Sequence, residues 1–246
     1  MFRQLTRRLL LKIFAAFAAL FHVRRSAYAA VQDAADDNGA SDLTLVGHWS
    51  KSHDRVWIGE EFWANPMEDW AVINGAAECK TSGGNRNIQL LTHNIRNQRP
   101  FKMTVRVQQA AKGQVEGGCG FRVGVRSELD EYRSNCFANG GINAGLVNGQ
   151  LVLGKNRVAS RADLAKSDVV LTLSGEPDGD RYALTLAVHG ATDNANLGNI
   201  RRTFPAAAII GNVALVNNYD PAIRKGRGSR YRFANWAIGG AAFEAT

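Results

Sequence analysis

The chain has 246 residues, which suits one domain of β-sandwich size with a substantial core. Its formal net charge of +8 suggests a nucleic-acid partner, but six of the 30 Lys and Arg residues lie before Ala30, where there is no Asp or Glu. The remaining 24 basic residues face 22 acidic ones, so the basic-patch argument fails and we expect no nucleic-acid partner.

The N-terminus has the pattern of an export signal. Arg7 and Arg8 form a twin-arginine motif, an apolar stretch follows, and Ala27 and Ala29 supply a small-residue cleavage site. The apolar stretch is far shorter than the roughly 20 residues that span a bilayer, which predicts a removable twin-arginine signal peptide over residues 1–29 and no stable membrane span after cleavage. The twin-arginine export machinery is thus an expected partner, and the expected location is periplasmic or secreted. An uncleaved membrane anchor is the alternative.

The rest of the chain is predicted to be all-β. Residues 30–42 are small and polar without apolar periodicity, which predicts a disordered leader. Over residues 43–246, turn residues recur about every ten positions, which predicts one antiparallel domain with little helix. Strands are predicted at residues 70–73, 76–80, 87–92, 101–109, 118–126, 144–147, 150–153, 169–174, 181–189, 211–216 and 231–238, and a short helical turn at 160–166.

Two Asn-Gly pairs predict hairpin turns. Asn74-Gly75 and Asn148-Gly149 each separate two β-prone runs, and both residue types tolerate the positive φ of a type I′ turn. Residues 69–80 are therefore predicted to form a hairpin.

An aromatic run precedes the first hairpin and contains Trp57, Phe62, Trp63 and Trp70. One interpretation is a hydrophobic plug at one end of a sandwich, because large aromatic side chains are mostly buried. The other is a stacking platform for a sugar ring.

The predicted strand 118–126 has an unusual face that opposes its apolar one. That face consists of Gly118, Gly120, Arg122, Gly124 and Arg126. Glycine in a strand marks a bulge or a close approach to the backbone. The face either forms a concave groove with Arg122 on its floor, or neighbouring side chains and a crossing loop fill the space.

Three cysteines cannot all pair, and their spacing fits no zinc or redox motif. Cys119 alternates in phase with Phe121, which predicts a small buried hydrophobe. A disulfide between Cys119 and Cys136 is the alternative.

Catalytic patterns are incomplete. Glu128 and Asp130 resemble the start of the Glu-x-Asp-x-x-Glu pattern of concanavalin-like glucanases, but Arg133 stands where the second glutamate belongs. The histidines that follow the predicted signal peptide are scattered singly, unlike the clustered ligands of a two-metal site. We therefore assign no catalytic and no metal-binding residue and expect no cofactor, while a structural calcium ion at Asp130 or Asp220 is left open.

Several motifs carry a family resemblance. They are Trp-Ile-Gly-Glu-Glu-Phe-Trp-Ala-Asn-Pro-Met-Glu-Asp-Trp at 57–70, Gly-Gly-Asn-Arg-Asn-Ile-Gln-Leu-Leu at 83–91, Gly-Phe-Arg-Val-Gly at 120–124, Glu-Leu-Asp-Glu-Tyr-Arg at 128–133 and Phe-Ala-Asn-Trp-Ala-Ile-Gly at 233–239. Together they resemble the N-terminal concanavalin A-like (laminin-G-like) domain of exported alkaline phosphatase D-type metallophosphatases, here without the phosphatase domain. The resemblance implies an antiparallel two-sheet concanavalin A-like jelly-roll sandwich.

The expected function is that of an exported, non-catalytic binding module for carbohydrate or a cell-envelope glycoconjugate. Sugar recognition uses planar amides and guanidinium groups for hydroxyls, with an aromatic face beneath. The expected ligand-binding residues are Asn85, Arg86, Asn87, Arg122, Tyr132, Arg133, Asn218 and Tyr219. The alternatives are ordinary turn residues without a ligand, a divergent glycoside hydrolase, and an accessory partner of a separate exported metallophosphatase.

Overall fold

The computed structural model describes residues 43–126 and 140–246. Several predictions concern residues outside these ranges, namely the signal peptide over 1–29 with Arg7, Arg8, Ala27 and Ala29, the leader over 30–42, and Glu128, Asp130, Tyr132, Arg133 and Cys136.

Short antiparallel strands make up most of the described chain. They are β1 (Thr44–Leu45), β2 (Phe62–Asn65), β3 (Trp70–Ile73), β4 (Ala76–Cys79), β5 (Arg86–Leu90), β6 (His93–Ile95), β7 (Phe101–Ala111), β8 (Cys119–Val125), β9 (Ile142–Val147), β10 (Gln150–Leu153), β11 (Asn156–Ala159), β12 (Val169–Asp178), β13 (Arg181–Gly190), β14 (Asn196–Pro205), β15 (Asn212–Asn217), β16 (Arg230–Gly239) and β17 (Phe243–Ala245). The helical elements of the described residues are the 3₁₀ turns His48–Lys51, Met67–Asp69 and Ala206–Ala208. Among these residues no helix is both long and apolar enough to cross a bilayer.

The strands form two large sheets. The eight-stranded sheet has the order β14-β13-β12-β7-β16-β4-β3, with β1 also paired to β16, and the seven-stranded sheet has the order β11-β10-β9-β8-β15-β5-β2. Strands β6 and β17 form a separate small pair. This arrangement is the predicted antiparallel sandwich.

Alternation decides which side chains enter the core between the sheets. Phe101 and Met103 of β7 and Phe121 and Val123 of β8 are buried at every second position. Cys119 is in phase with Phe121, and its thiol is free and buried. The intervening residues point to the outer faces of the sheets, since side chains alternate along a strand.

The two predicted hairpin turns are confirmed. Asn74 and Gly75 have φ values of 50° and 74° and join β3 to β4. Asn148 and Gly149 have φ values of 50° and 70° and join β9 to β10. Both pairs therefore have the positive φ angles that a type I′ turn requires.

Some elements differ from the sequence prediction. Residues 160–166 are not helical, and a bond from Lys166 N to Asp163 O at 3.0 Å closes a turn there. The strands β1, β2, β6, β11, β14 and β17 were not predicted. The clearest case is β14, whose sequence Asn-Leu-Gly-Asn-Ile-Arg-Arg-Thr-Phe-Pro lacks alternation because it lies at a sheet edge and is largely exposed.

Candidate functional site

The candidate site lies on the outer face of the seven-stranded sheet. Antiparallel pairing places one outward side chain from each of five neighbouring strands in a single row across this face. From β2 to β9 the row is Trp63, Gln89, Ala214, Arg122 and Asn143. The next row along the strands is Asn65, Asn87, Val216, Gly120 and Gly145.

We call the polar members of these rows, together with Asn85, the amide cluster. It consists of Asn65, Asn85, Asn87, Gln89, Arg122 and Asn143. Four of them are buried, with Asn87 and Gln89 fully enclosed, Arg122 3% exposed and Asn85 7% exposed. Buried polar groups of this kind require hydrogen-bond partners.

Arg122 is held in the cluster by amide oxygens. Its Nη1 donates to Asn85 Oδ1 at 2.8 Å, and its Nε donates to Asn143 Oδ1 at 2.7 Å. Burial lowers the pKa of the guanidinium, and the nearby Tyr219 hydroxyl opposes that shift. These two bonds fix the plane of the guanidinium on the sheet.

Two further hydrogen bonds connect Asn85 through Asn87 to Gln89, which neighbours β2. Asn87 Nδ2 donates to the backbone oxygen of Asn85 at 3.1 Å, and Gln89 Nε2 donates to Asn87 Oδ1 at 2.9 Å. The Gln89 amide thus uses one of its two N–H donors on Asn87, and its oxygen is an acceptor at the β2 end of the cluster. The cluster thus presents an acceptor at Gln89.

Two atoms at this end of the cluster are buried without a hydrogen-bond partner in the part of the chain that the structure describes. They are the Gln89 Oε1 acceptor and the Asn65 Nδ2 donor. Asn65 pairs with Asn87, two positions from Gln89, so the two residues are diagonal neighbours about 7–8 Å apart between Cα atoms. A buried group left unpaired costs about 1–3 kcal/mol, so this donor and acceptor mark a place where a ligand would restore lost bonds.

The glycine face of β8 is filled by the protein itself. A Cβ on Gly120 would lie 2.7 Å from the Tyr219 hydroxyl, and a Cβ on Gly145 would lie 2.3 Å from it. The same hydroxyl donates to Phe121 O at 3.2 Å, and burial raises its pKa well above the ordinary value. At Gly124, a Cβ would meet Ala208 O at 2.0 Å. Of the two interpretations of this face, filling by neighbouring groups holds at these positions.

Arg86 lies away from the cluster although it adjoins Asn87 in sequence. Its Nε donates to Asp69 Oδ2 at 2.6 Å, and its Nη1 donates to Gly84 O at 2.8 Å. Consecutive residues of β5 point to opposite faces, so Arg86 is directed towards the other sheet. Its guanidinium is thus engaged by Asp69 and Gly84 and not by the cluster, and its role in ligand binding stays a prediction.

Asn218 forms hydrogen bonds to several segments of the backbone. It is fully buried, and its Nδ2 donates to the backbone oxygens of Ser82 at 3.1 Å, Gly83 at 3.3 Å and Ser229 at 2.9 Å. Its backbone N–H donates to Gly118 O at 2.7 Å. It therefore joins three loops, and its predicted role in ligand binding is not tested by these contacts. Tyr132 and Arg133 lie outside the described residues.

The aromatic run divides between core and surface. Phe62 and Trp70 are buried, and Phe62 packs between Trp49 at 5.1 Å and Trp236 at 5.8 Å from ring centroid to ring centroid. Trp57 is 48% exposed beneath the Arg55 guanidinium. Trp63 lies on the outer face beside Gln89. Phe62 and Trp70 thus belong to the core, as the plug interpretation predicts, whereas Trp57 and Trp63 lie outside it and the platform interpretation stays a prediction for them.

Sequence reasoning missed Asn65, Gln89 and Asn143. The signal for Gln89 was present, because Asn87, Ile88, Gln89 and Leu90 alternate between polar and apolar, which places Gln89 on the same face as Asn87. Asn143 and Asn65 join the site only through the order of the strands, which the sequence does not display.

A separate recess of about 350 Å³ lies beside the β9–β10 turn and is lined by residues that include Glu116, Asn148, Asp163, Leu164 and Tyr231. The Asp163 carboxylate is engaged by Lys166 Nζ at 2.9 Å. Within the described chain, none of the lining side chains carries a buried polar atom that lacks a partner. This recess therefore lacks the feature that marks the amide cluster.

No metal site is formed by the described residues, since no three His, Cys, Asp or Glu side chains among them converge. Asp220, one of the two positions considered for calcium, accepts a bond from Ala222 N at 2.9 Å through its Oδ1. The other position, Asp130, lies outside the described residues.

No family model matches the sequence. No curated protein matches it either. Solved structures do match: the lectin UEA-II complexed with galactose has 10% identity and a TM-score of 0.50, over 76% of this chain and 97% of that one. Winged bean acidic lectin complexed with methyl-α-D-galactose has 8% identity and a TM-score of 0.51, over 78% and 98% of the two chains. These similarities show the fold, a concanavalin A-like jelly roll.

Proposed function

We propose that this chain is a non-catalytic carbohydrate-binding module whose site is the amide cluster. The observation that carries the proposal is the buried, unpartnered pair of Gln89 Oε1 and Asn65 Nδ2 on one face of the sheet. An acceptor and a donor on one face of the sheet suit two hydroxyl groups of one sugar, because a hydroxyl can donate to the first and accept from the second.

Hydrogen bonds within the rest of the amide cluster fix the position of Gln89 before a ligand binds. Arg122 orients Asn85, Asn87 bonds the backbone of Asn85, and Gln89 bonds Asn87, so the Gln89 oxygen is positioned before a ligand arrives. A preorganised site avoids the entropic cost of ordering its side chains on binding. Trp63, the neighbour of Gln89 in the row, supplies an aromatic ring next to the pair. Sugars combine hydroxyl edges with apolar ring faces, which this arrangement complements.

The fold supports the same proposal. The two matching lectin structures contain galactose and methyl-α-D-galactose, respectively. A fold by itself does not determine function, so the amide cluster carries the argument and the fold adds to it.

We also propose a cellular location, an export route and a partner for this module. We place the module outside the cytoplasm, exported through the twin-arginine machinery, as an accessory domain related to those of alkaline phosphatase D-type proteins or as the partner of an exported phosphatase. The support is the Arg7-Arg8 motif and the Trp57 to Trp70 signature. Changing Arg7 and Arg8 to Lys together should retain the protein in the cytoplasm in a fractionation experiment, and unaltered export would contradict this route.

A glycan-array screen of the full chain, followed by titration with the best glycan, tests the binding site. Gln89→Leu keeps a side chain of similar size but removes the Oε1 acceptor together with the Nε2 donor to Asn87, and we expect it to weaken binding about tenfold, the equivalent of one hydrogen bond. Asn65→Ala should weaken binding similarly. Gln150→Leu, an exposed glutamine on β10 of the same sheet, is the matched control and should bind like the wild type.

Failure of the proposed site and failure of the proposed function would give different results. Retained affinity in both Gln89→Leu and Asn65→Ala would remove the amide cluster as the site. Absence of wild-type binding to every glycan on the array would refute the carbohydrate function itself.

A further inference from the structure

A second surface lies on the outer face of the opposite, eight-stranded sheet. Its central row crosses four strands in register, from the edge strand β14 through β13 and β12 to β7. The row consists of Arg201, Thr185, Ser174 and Lys102. We call these four residues the cationic row. Neighbouring strands are about 4.8 Å apart, so the two cations at its ends are separated by about 14 Å of hydroxyl-bearing sheet.

The two cations of this row lack an ion-pair partner within residues 43–126 and 140–246. The ion pairs of the described residues that involve this face join Arg106 to Asp168, and Arg230 and Arg232 to Glu78. Neither Lys102 nor Arg201 takes part in an ion pair within the described chain. Glu176, two residues beyond Ser174 on the same strand, is exposed and pairs with neither.

The row beside it adds hydroxyl groups. Thr104 and Thr172 are cross-strand partners on the same face. Thr104 is only 8% exposed, and its Oγ1 is buried without a hydrogen-bond partner in the described part of the chain. Hydroxyl and cationic donors that share one face suit sulfate or phosphate groups, because the ionised oxygens of those groups accept hydrogen bonds.

We infer that the cationic row binds a linear polysaccharide that carries sulfate or phosphate groups, at a site independent of the amide cluster. Lys102 and Arg201 would each contact one anionic group, and the Ser174 and Thr185 hydroxyls between them would contact the sugar. A polysaccharide fits better than a single-stranded nucleic acid, because the outward residues of β7, β12 and β13 in the described chain include no Phe, Tyr or Trp ring on which bases could stack, and His189 is their one aromatic ring.

The test is titration of the full chain with dextran sulfate, with neutral dextran and single-stranded DNA as comparison polymers. The double variant Lys102→Gln/Arg201→Gln should bind dextran sulfate at least tenfold more weakly than the wild type. The plot of log affinity against log salt should also become shallower, because fewer counterions are released. Arg224→Gln/Lys225→Gln, which removes two charges from an exposed loop, is the matched control and should change affinity less than twofold.

Other outcomes would overturn the inference. Equal losses in the two double variants would show attraction to net charge alone, and no loss in Lys102→Gln/Arg201→Gln would exclude the row. DNA binding as tight as that of dextran sulfate would reject the polysaccharide assignment. Gln89→Leu should leave dextran sulfate binding unchanged, and a parallel loss in that variant would show that the two surfaces are not independent. Thermal unfolding of each variant establishes that it is folded.

Discussion

Arg86 Nε donates to Asp69 Oδ2 at 2.6 Å, and this bond joins the two sheets of the sandwich. Arg86 begins β5 in the seven-stranded sheet, whereas Asp69 directly precedes β3 in the eight-stranded sheet. The Asp69 side chain is 7% exposed. A buried carboxylate that loses its cation is strongly destabilising, so this pair couples the stability of the two sheets.

Replacing Arg86 by Met should lower the free energy of unfolding by about 3 kcal/mol, because Asp69 then stays buried without its cation. Urea unfolding measures the loss. The double variant Arg86→Met/Asp69→Asn should lose less than the single variant, since no buried charge remains. Glycan binding should not change, because Arg86 points away from the amide cluster. Unaltered stability in Arg86→Met would contradict the proposed coupling.

Asn218→Ala should destabilise the fold by about 2–4 kcal/mol, because the Ser82, Gly83 and Ser229 oxygens lose their common donor. Asn218 also has a positive φ of 59°, which alanine disfavours. Asn194→Ala is the matched control, since Asn194 has a φ of 52° and is exposed. It isolates the backbone penalty of about 1–2 kcal/mol. Equal losses in the two variants, measured by thermal or urea unfolding, would disprove the role of the Asn218 amide.

Gly145→Ala should destabilise the protein by about 3 kcal/mol, at the upper end of overpacking costs. The new methyl group would lie 2.1 Å from Cys119 O and 2.3 Å from the Tyr219 hydroxyl, and the backbone oxygen cannot easily move away. At Gly179, by contrast, a Cβ meets nothing within 4 Å and only its φ of 61° opposes alanine. Denaturant midpoints should therefore fall further for Gly145→Ala than for Gly179→Ala, and the reverse order would be evidence against the close packing of Tyr219 on the sheet.

Cys79 and Cys119 should be inert to thiol reagents in the native protein. Burial raises the pKa of Cys79 to about 12, and it raises the pKa of Cys119 well above the ordinary value. At about pH 8 neither is a thiolate, which is the reactive form. In a Cys136→Ser background, a colorimetric thiol assay should detect no fast reaction before unfolding and two thiols after it. Rapid labelling of the native chain would contradict the burial of these residues.

Stability should depend on pH through His189. Burial, followed by the nearby Lys102 ammonium, lowers the pKa of His189 below its ordinary value of 6.5. The unfolded chain therefore takes up a proton at a pH where the folded chain does not, so stability present above pH 6.5 is lost as the pH falls below it. Between about pH 7.5 and 5.5, unfolding free energies should decline more in the wild type than in His189→Gln. Identical declines would exclude this contribution.

Much of the sandwich could be predicted because its long strands alternate cleanly. Apolar residues stand at alternate positions of β7 and β8, such as Phe101 and Met103 or Phe121 and Val123, and Asn74-Gly75 and Asn148-Gly149 determine their turns through local φ preferences alone. Such signals fail at sheet edges. β14 has one paired neighbour and little burial, so its sequence was not required to alternate.

The site was harder to predict than the fold. Asn87 and Arg122, both predicted to bind a ligand, lie on one polar face, but Arg86, which was predicted with them, points to the opposite side because adjacent strand residues alternate. Gln89 could have been found from the period of β5. Asn65 and Asn143 could not, because they join Arg122 only after the chain has arranged β2, β5, β15, β8 and β9 side by side.

The position of β14 at the edge of its sheet also bears on self-association of the protein. A strand at the border of a sheet exposes unpaired backbone groups that can recruit another chain, and charged side chains oppose such recruitment. Arg201 and Arg202 lie in the middle of this strand and are exposed. Repulsion between these charges on two molecules would oppose pairing of their β14 edges, and an anionic polymer that covers Arg201 would weaken that repulsion.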